Sequence, residues 1–225
     1  MLAAGFTPAA AARPQASAIA ALSTAEASCR NLLVKRNQAL FWEGDLVDGY
    51  YRVINGAIRL CKLMPDGRRQ ISDFFGHGDL VLIEFSDTHA FTAEAIVDTV
   101  ICHYPRAAVD ALIQSNPSFS RQLLTMACDR LVSAHQRMTE LGRKTAEERL
   151  ATFLVGGAKR LPPTRHVMNL PMSRADIADY LGLTIETVSR VFSKFKRDGI
   201  IDLPDIHSVQ VIDTDQLDLL SEGEA

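Results

Sequence analysis

Five polar side chains near the C-terminus are spaced as the outer face of a single helix. Glu186, Ser189, Arg190, Ser193 and Arg197 fall at i, i+3, i+4, i+7 and i+11, which places them on one side of a helix. An arginine fork can donate two hydrogen bonds to guanine, a glutamate can accept one from cytosine N4, and a serine can bond several base edges. These side chains therefore predict direct reading of double-stranded DNA; the simpler alternative is an ordinary solvated helix face.

Capping and stop signals predict two short helices here, joined by a tight turn. Ser173 and Asp176 have the spacing of a capping box at the start of the first helix, and Gly182 can end that helix in the left-handed region. Thr184 then caps a second helix that runs to Gly199. Two helices joined by a glycine-containing turn of about three residues predict a helix-turn-helix.

Charge and strand signals extend this prediction to a winged unit. Residues 143–200 carry eleven basic and six acidic side chains, whereas residues 201–225 carry seven acidic and no basic ones. The whole chain has a formal net charge of −3, so the basic charge is local, as a nucleic-acid contact face requires. Strand-like runs at 200–203 and 208–212 flank Pro204-Asp205 and predict a β-hairpin, the wing.

Residues 37–104 have a different pattern, in which turn signals recur every 11 or 12 residues. Each signal pairs glycine with aspartate or asparagine, the residues that best tolerate positive φ. The runs between them, such as 51–54 and 57–61, alternate polar and apolar residues, and 97–102 has the composition of a last strand. Short strands at this spacing predict an antiparallel sandwich or barrel. The turn signals are Gly44-Asp45, Asn55-Gly56, Asp66-Gly67 and Gly78-Asp79.

The pattern then becomes helical. Asn116 can cap a helix whose first turn holds Pro117, and neither proline nor glycine follows until Gly142. Within this stretch the apolar residues repeat at alternating spacings of three and four, the a/d seam of paired helices. The spacing is compatible with a helix pair and with a helix lying on its own β-domain. The seam consists of Leu124, Ala127, Leu131, Ala134, Met138 and Leu141.

Composition bounds the class of protein. The 225 residues are 47% hydrophobic and 23% charged, an ordinary globular composition with room for two domains. No apolar run approaches the ~20 residues of a membrane-spanning helix. The first 28 residues include 12 alanines and lack a signal-peptide pattern, so we interpret them as a mobile tail and expect a cytoplasmic protein. The four scattered cysteines, without a CxxC motif, predict reduced thiols rather than disulfides.

With these motifs the chain resembles the Crp/Fnr superfamily of bacterial transcription regulators over residues 30–220. The resemblance rests on the sequences AEERLA at 146–151 and SRADIADYLGLTIETVSR at 173–190. It implies an α+β fold in four parts. These are a flexible tail at 1–28, an antiparallel β-roll of the cyclic-nucleotide-binding jelly-roll type at 29–115, a dimerisation helix at 116–142 and a winged helix-turn-helix DNA-binding domain at 143–225.

The resemblance also implies a function. Glu186-x-x-Ser189-Arg190 is similar to the triad with which the Fnr branch reads TTGAT half-sites, so the implied target is a palindrome of the type TTGAT-N4-ATCAA bound by a homodimer. Activation implies contact with RNA polymerase, and the loop at 64–67 corresponds to a polymerase contact of Fnr relatives. The side chains expected at the DNA backbone are Arg174, Thr184, Thr187, Ser193, Lys194 and Arg197.

No cofactor is implied. The stretch 79–94 lacks the glycine and arginine with which cyclic-AMP binders of the superfamily hold ribose and phosphate. An iron–sulfur cluster needs about four thiolates, and beside Cys102, which matches the β-roll ligand of Fnr, the only upstream candidate is Cys29. The chain is therefore most similar to the FixK group, Fnr relatives with neither cluster nor nucleotide. A regulator with an unidentified ligand, or one whose thiol responds to oxidant, remains the alternative.

Histidines leave two further alternatives, haem and an enzyme. His77, His89 and His103 are available as haem ligands, although single histidines on loops or strands are more often plain polar residues. In a cupin-type enzyme, His77, Glu84 and His89 would form a metal triad, but the usual His-x-His pair is absent. The sequence therefore predicts neither a metal site nor an enzyme.

Overall fold

The computed structural model describes residues 29–81, 84, 86–159 and 167–223, so the predicted tail lies outside the described residues. The first unit is an antiparallel β-roll. Its strands are β1 (Arg30–Val34), β2 (Ala39–Phe41), β3 (Gly49–Asn55), β4 (Ile58–Leu63), β5 (Arg69–Phe75), β6 (Leu80–Val81), β7 (Thr92–Ala95) and β8 (Thr99–Pro105). They form two four-stranded sheets, with orders β1-β8-β3-β6 and β2-β7-β4-β5. The predicted antiparallel β-roll is confirmed.

Every predicted turn glycine has positive φ, with values of +91°, +99°, +85° and +87° at Gly44, Gly56, Gly67 and Gly78. Glycine enters this region without the steric cost that a Cβ imposes. At Gly56 an added Cβ would also lie 2.4 Å from the Oγ1 of Thr99 and 2.7 Å from its Cα. The close approach of the β3–β4 turn to β8 therefore requires glycine at this position.

Two helices follow the β-roll. The first, α1 (Arg106–Ser115), was not predicted, because no side-chain cap marks its start. The second, α2 (Pro117–Arg143), begins as predicted: the side chain of Asn116 accepts a hydrogen bond from the Phe119 N–H at 3.1 Å. Its bounds lie one residue later than the predicted 116–142. Among the described residues, no helix is long and apolar enough to cross a membrane.

The second unit is a winged helix-turn-helix, as predicted. Its helices are α3 (Ala146–Ala158), α4 (Arg174–Leu181), α5 (Ile185–Arg197) and α6 (Thr214–Glu222), and its strands are β9 (Val167–Asn169), β10 (Ile201–Asp205) and β11 (Ser208–Val211). The capping box of Ser173 and Asp176 is formed in both directions, and Gly182 ends α4 with φ of +63°. These local signals fix where the two helices of the motif meet.

The wing differs from the sequence prediction. β10 continues through Pro204 to Asp205, so the turn contains Ile206 and His207 rather than Pro204-Asp205. Proline is accommodated because β10 is an edge strand of the sheet β10-β11-β9, where a missing N–H breaks no ladder. The sequence did not predict β9 or α6; β9 has only three residues, too few for a periodic pattern.

Arg149 joins the ends of two helices to the start of the DNA-binding unit. Its guanidinium donates to three backbone carbonyls: Leu141 at 2.8 Å, Lys144 at 2.9 Å and Leu181 at 2.9 Å. Leu141 lies in the last turn of α2, and Leu181 is the last residue of α4. One side chain therefore satisfies carbonyls that helix ends leave without an intrahelical partner.

The β-roll and the winged unit share one hydrophobic cluster. Ile71 and Phe74 of β5 are buried in the same cluster as Phe153 of α3 and Tyr180 of α4. The ring centroids of Phe74 and Tyr180 lie 5.1 Å apart, and those of Phe153 and Tyr180 lie 5.6 Å apart. Aromatic contacts at this spacing stabilise a fixed orientation of the two units.

The cysteines correct one expectation. The structure joins Cys29 to Cys102 as a disulfide, with Cα atoms 5.8 Å apart, whereas the sequence predicted reduced thiols. The two residues are 73 positions apart in the chain, but β1 pairs with β8 in the register Asn31↔Cys102. Adjacency across strands, which spacing along the chain does not reveal, brings them together. Cys61 and Cys128 are free, the first buried and the second exposed.

Candidate nucleic-acid interface

The second helix of the motif, α5, presents a polar face to solvent. The side chain of Thr184 accepts from the N–H of Thr187 and caps the helix. The inner side of α5 is buried, and the outer side is exposed at every position that the sequence assigned to it. The buried residues are Val188, Val191, Phe192 and Phe195, and the exposed ones are Glu186, Ser189, Arg190, Ser193 and Arg197.

The three predicted base-reading residues lie in the first two turns of this exposed face. Hydrogen bonds from its own backbone N–H and from the Thr184 side chain lower the pKa of Glu186, so at neutral pH it is a carboxylate that can accept from a base amino group. Arg190 follows one turn later, and Ser189 lies between them in sequence. Within the part of the chain that the structure describes, the guanidinium of Arg190 has no protein partner and its donors are free for a ligand.

The residues predicted to contact the DNA backbone have different surroundings. Arg174 stacks on the ring of Phe192, with its guanidinium carbon 3.3 Å from the centroid, and burial lowers its pKa to about 10. It is therefore still a cation at neutral pH. The hydroxyls of Thr184 and Thr187 lie 3.1 Å apart at the helix start. The Ser193 hydroxyl donates to the Ser189 carbonyl at 2.9 Å, so this hydroxyl is engaged within the helix.

Lys194, also predicted to contact a phosphate, has an acidic partner inside the protein. Its Nζ lies 2.5 Å from Oε2 of Glu147 in the first turn of α3. The pair borders a groove of about 690 Å³ between α3, α5 and the end of α6. Sequence reasoning missed this pair because 47 positions separate the two residues. A phosphate at this place would have to compete with the Glu147 carboxylate.

Glu147→Gln is expected to raise affinity for every DNA sequence by about two- to threefold and to steepen the salt dependence by about one unit, because it releases one cation for phosphate contact. Lys194→Ala is expected to do the reverse. The measurement is fluorescence anisotropy on specific and random duplexes at several salt concentrations. Glu222→Gln makes the same charge change at the exposed end of α6 and serves as the control. An effect of Glu147→Gln confined to one sequence would contradict the competition.

The long helix α2 has two apolar faces in different surroundings. Phe119, Leu123 and Met126 are buried in a cluster with β-roll residues. The predicted seam lies on the other face, and Leu131 and Met138 are 58% and 68% exposed. Both alternatives from the sequence thus describe part of the helix: one face packs on its own β-roll, and the seam is exposed in the single chain except at Leu141, which is half-buried. An exposed apolar stripe of this length is typical of a protein interface.

Of the three residues considered as a metal triad, the structure brings two together, His89 and Glu84, and places His77 elsewhere. His89 Nδ1 lies 2.6 Å from Glu84 Oε2, and its ring stacks on Phe41 at 3.6 Å. His77 instead lies 2.5 Å from the carbonyl of Ile54. Within the described ranges, no group of three or more His, Cys, Asp or Glu side chains is placed to hold a metal ion.

Comparisons with known proteins cover both units. The model of the Crp-like helix-turn-helix domain matches residues 148–220, and that of the cyclic nucleotide-binding domain matches residues 32–116. The chain is 39% identical to the nitrogen fixation regulation protein FixK of Bradyrhizobium diazoefficiens over 196 residues, which is 85% of this chain and 82% of that protein. FixK of Rhizobium meliloti is 38% identical over 211 residues, 93% of this chain and 96% of that protein. The solved structure of FixK2 from Bradyrhizobium japonicum matches with a TM-score of 0.82 at 36% identity, covering 85% of this chain and 96% of that one.

Proposed function

The chain belongs to the Crp/Fnr family of transcription regulators, and from this we propose that it binds a TTGAT-N4-ATCAA-type palindrome as a homodimer and activates transcription. Its similarity to FixK regulators confirms a DNA-binding regulator rather than an enzyme. The proposal of a specific palindromic site rests on the capped helix α5, whose exposed face holds Glu186, Ser189 and Arg190. The proposed location is the cytoplasm, the cell compartment that holds the DNA.

The half-site offers a partner for each charged reading residue. TTGAT contains a single G·C pair, and its guanine presents O6 and N7 to a bidentate arginine. Arg190 is assigned to this guanine. The paired cytosine presents its N4 amino group, which a carboxylate accepts, and Glu186 is assigned to it. Ser189, between them in sequence, bonds a neighbouring base edge.

Dimerisation through the seam of α2 provides the matching geometry. A two-fold axis along paired α2 helices would present two α5 helices to successive major grooves, about 34 Å apart. The exposed Leu124, Leu131 and Met138 supply apolar surface for that pairing, and Ala127 and Ala134 allow close approach of the helices. Activation then requires contact with RNA polymerase, which we assign to the β4–β5 loop at 64–67, where Met64 is exposed.

The test is anisotropy and footprinting on the palindromic duplex with purified protein and no additive. Protection of both half-sites at nanomolar protein, with a drop toward the affinity for random DNA when each guanine is replaced by adenine, would support the proposal. Typical specific sites are bound 10³–10⁷ times more tightly than random DNA. Equal binding of palindrome and random duplex would contradict it.

An effector-responsive regulator is the second candidate, and a cavity of about 950 Å³ between the β-roll, α2 and α3 favours it. Asp73, Arg130 and Arg137 line this cavity beside apolar Phe75 and Phe91. Burial raises the pKa of Asp73 and lowers that of Arg130, so a polar ligand would find partly desolvated charges. A compound that raises the melting temperature and changes affinity for the palindrome would support this candidate.

Metal chelators and air are expected to change affinity for the palindrome by no more than about threefold. An iron–sulfur cluster needs about four thiolates, whereas Cys29 and Cys102 are joined to each other. Burial raises the pKa of Cys61 to about 11, so it is a neutral thiol and a poor ligand at neutral pH. Binding is measured before and after EDTA and air exposure. Cys128→Ser, which removes the exposed thiol, controls for cross-linking between molecules. A visible charge-transfer band in anaerobic protein, lost in air together with DNA binding, would overturn the expectation.

A further inference from the structure

Two arginines of the β-roll hold the first helix of the DNA-binding motif. Arg59 on β4 donates to Oδ1 of Asp176 at 3.0 Å, and Arg69 on β5 donates to the same oxygen at 2.7 Å. Arg69 also reaches Asp179 through two nitrogens, at 2.8 and 2.7 Å. Glu94 on β7 completes the group by accepting from Arg59 at 2.8 Å. A network of two guanidinium groups and three carboxylates therefore joins one sheet of the β-roll to α4.

The network is largely sheltered from water. The side chains of Asp176 and Arg59 are 5% and 11% exposed, and that of Arg69 is 23% exposed. The second oxygen of Asp176 accepts from the N–H and the hydroxyl of Ser173, the residue that caps α4. The same carboxylate thus caps α4 and joins it to the β-roll. Removing one member of such a buried group leaves an unpaired charge, which is costly.

The network holds α4 in an orientation that leaves the proposed DNA-reading face of α5 exposed. With α4 docked on β5, Glu186, Ser189 and Arg190 remain exposed on α5. Tyr180 of α4 is fixed from a second side, since the guanidinium of Arg137 on α2 lies 3.5 Å from its ring centroid. The ion network therefore holds α4 in an orientation in which the polar face of α5 stays open to solvent.

We propose that Arg69 is a positioning residue for specific DNA binding: it holds α4, and through it the recognition helix, in the orientation that matches both half-sites. This inference rests on the proposed function. Arg69 does not reach DNA, because its guanidinium is occupied by Asp176 and Asp179. Without it, the two recognition helices of the dimer must be ordered on the DNA, and this ordering lowers affinity. Affinity for random DNA is lowered less, because binding to random DNA does not require both recognition helices in register.

The experiment compares full-length Arg69→Gln with wild type on the palindrome and on random DNA. The variant is expected to lose about tenfold in affinity for the palindrome, the size of one coupled interaction, and less than about threefold for random DNA. The salt slope is expected to stay unchanged, because no phosphate contact is lost; a cation that touches phosphate would lower it by about one unit. Arg68→Gln is the matched control: it removes the same charge one residue earlier, from a side chain that is 82% exposed and paired with Asp66.

A double-mutant cycle with Asp179→Asn tests whether the pair acts as a unit. Combined with Arg69→Gln, the Asp179 change is expected to cost no further affinity, since its partner is already absent. Arg69→Lys, which keeps the charge but not the fork, is expected to fall between wild type and Arg69→Gln. A variant whose melting temperature falls below the assay temperature is replaced by this lysine variant.

Unchanged or tighter palindrome binding by folded Arg69→Gln, or a lower salt slope, would overturn the positioning role. Multiplicative losses in the cycle would overturn it as well. Failure of the proposed function looks different, because wild type itself would then not distinguish the palindrome from random DNA.

Discussion

Arg190→Ala is expected to abolish sequence discrimination while leaving binding to random DNA nearly unchanged. The free, exposed guanidinium of Arg190 is the only base-reading donor of the proposed triad that can bond guanine O6 and N7 together. Losing a bidentate contact costs roughly 1–3 kcal/mol per half-site. The symmetric dimer makes the contact twice, so the loss on the palindrome is roughly 2–6 kcal/mol, enough to approach non-specific affinity.

The measurement is the ratio of affinities for the palindrome and for its G-to-A variant, for wild type and mutant. Wild type should discriminate strongly and Arg190→Ala hardly at all. Arg197→Ala is the matched control, because Arg197 lies on the same exposed face two turns later and is assigned to a phosphate. It should weaken all duplexes alike and lower the salt slope by about one unit. Equal discrimination by wild type and Arg190→Ala would refute the base-reading role of α5.

Leu131→Glu is expected to leave the fold intact and to lower affinity for the palindrome by at least about a hundredfold. In the single chain Leu131 is 58% exposed, so a glutamate there is solvated and the monomer remains folded. In a dimer the two carboxylates would face each other across the a/d seam at low dielectric, which disfavours pairing. Two linked half-site contacts exceed one by about 10²–10⁴ in affinity, and that gain is lost with the dimer.

Sedimentation and anisotropy together test this expectation. Val132→Glu is the matched control, since Val132 is 55% exposed on the same helix but lies outside the a/d positions. It should remain dimeric and bind normally. A Leu131→Glu protein that sediments as a dimer at micromolar concentration, or a Val132→Glu protein that does not, would show that α2 pairs through another face.

Local signals in the sequence predicted most of the elements that form the site. The capping residues Ser173 and Thr184 and the stop glycine Gly182 act within one turn of helix, so their effect is readable from spacing alone. The same holds for the four turn glycines of the β-roll, whose positive φ follows from residue type. The polar face of α5 was predicted correctly because helical periodicity fixes which residues share a side.

Interactions between distant segments were not predictable in this way. Glu147 with Lys194, Cys29 with Cys102, and the β-roll arginines with Asp176 are each brought together only by the tertiary fold. No periodicity relates such positions, and in the sequence each residue taken alone is indistinguishable from a solvated charge or an unpaired thiol. The exposure of Leu131 could not be predicted from the sequence either, because the 3-4 spacing is the same whether the seam is covered by its own domain or exposed.

The hydrogen bonds of Arg149 set a condition for exchanging domains between relatives. Its acceptors lie on both sides of position 143, in Leu141 of the long helix and in Leu181 of the DNA-binding unit. A hybrid protein joined at position 143 would take the Arg149 donor from one parent and the Leu141 acceptor from the other. The angle between the long helix and the helix-turn-helix would then not be preserved. A junction placed before Leu141 transfers the donor and all three carbonyls as one block. The Arg149 contacts are then preserved in such hybrids, and altered target selectivity cannot be attributed to their loss.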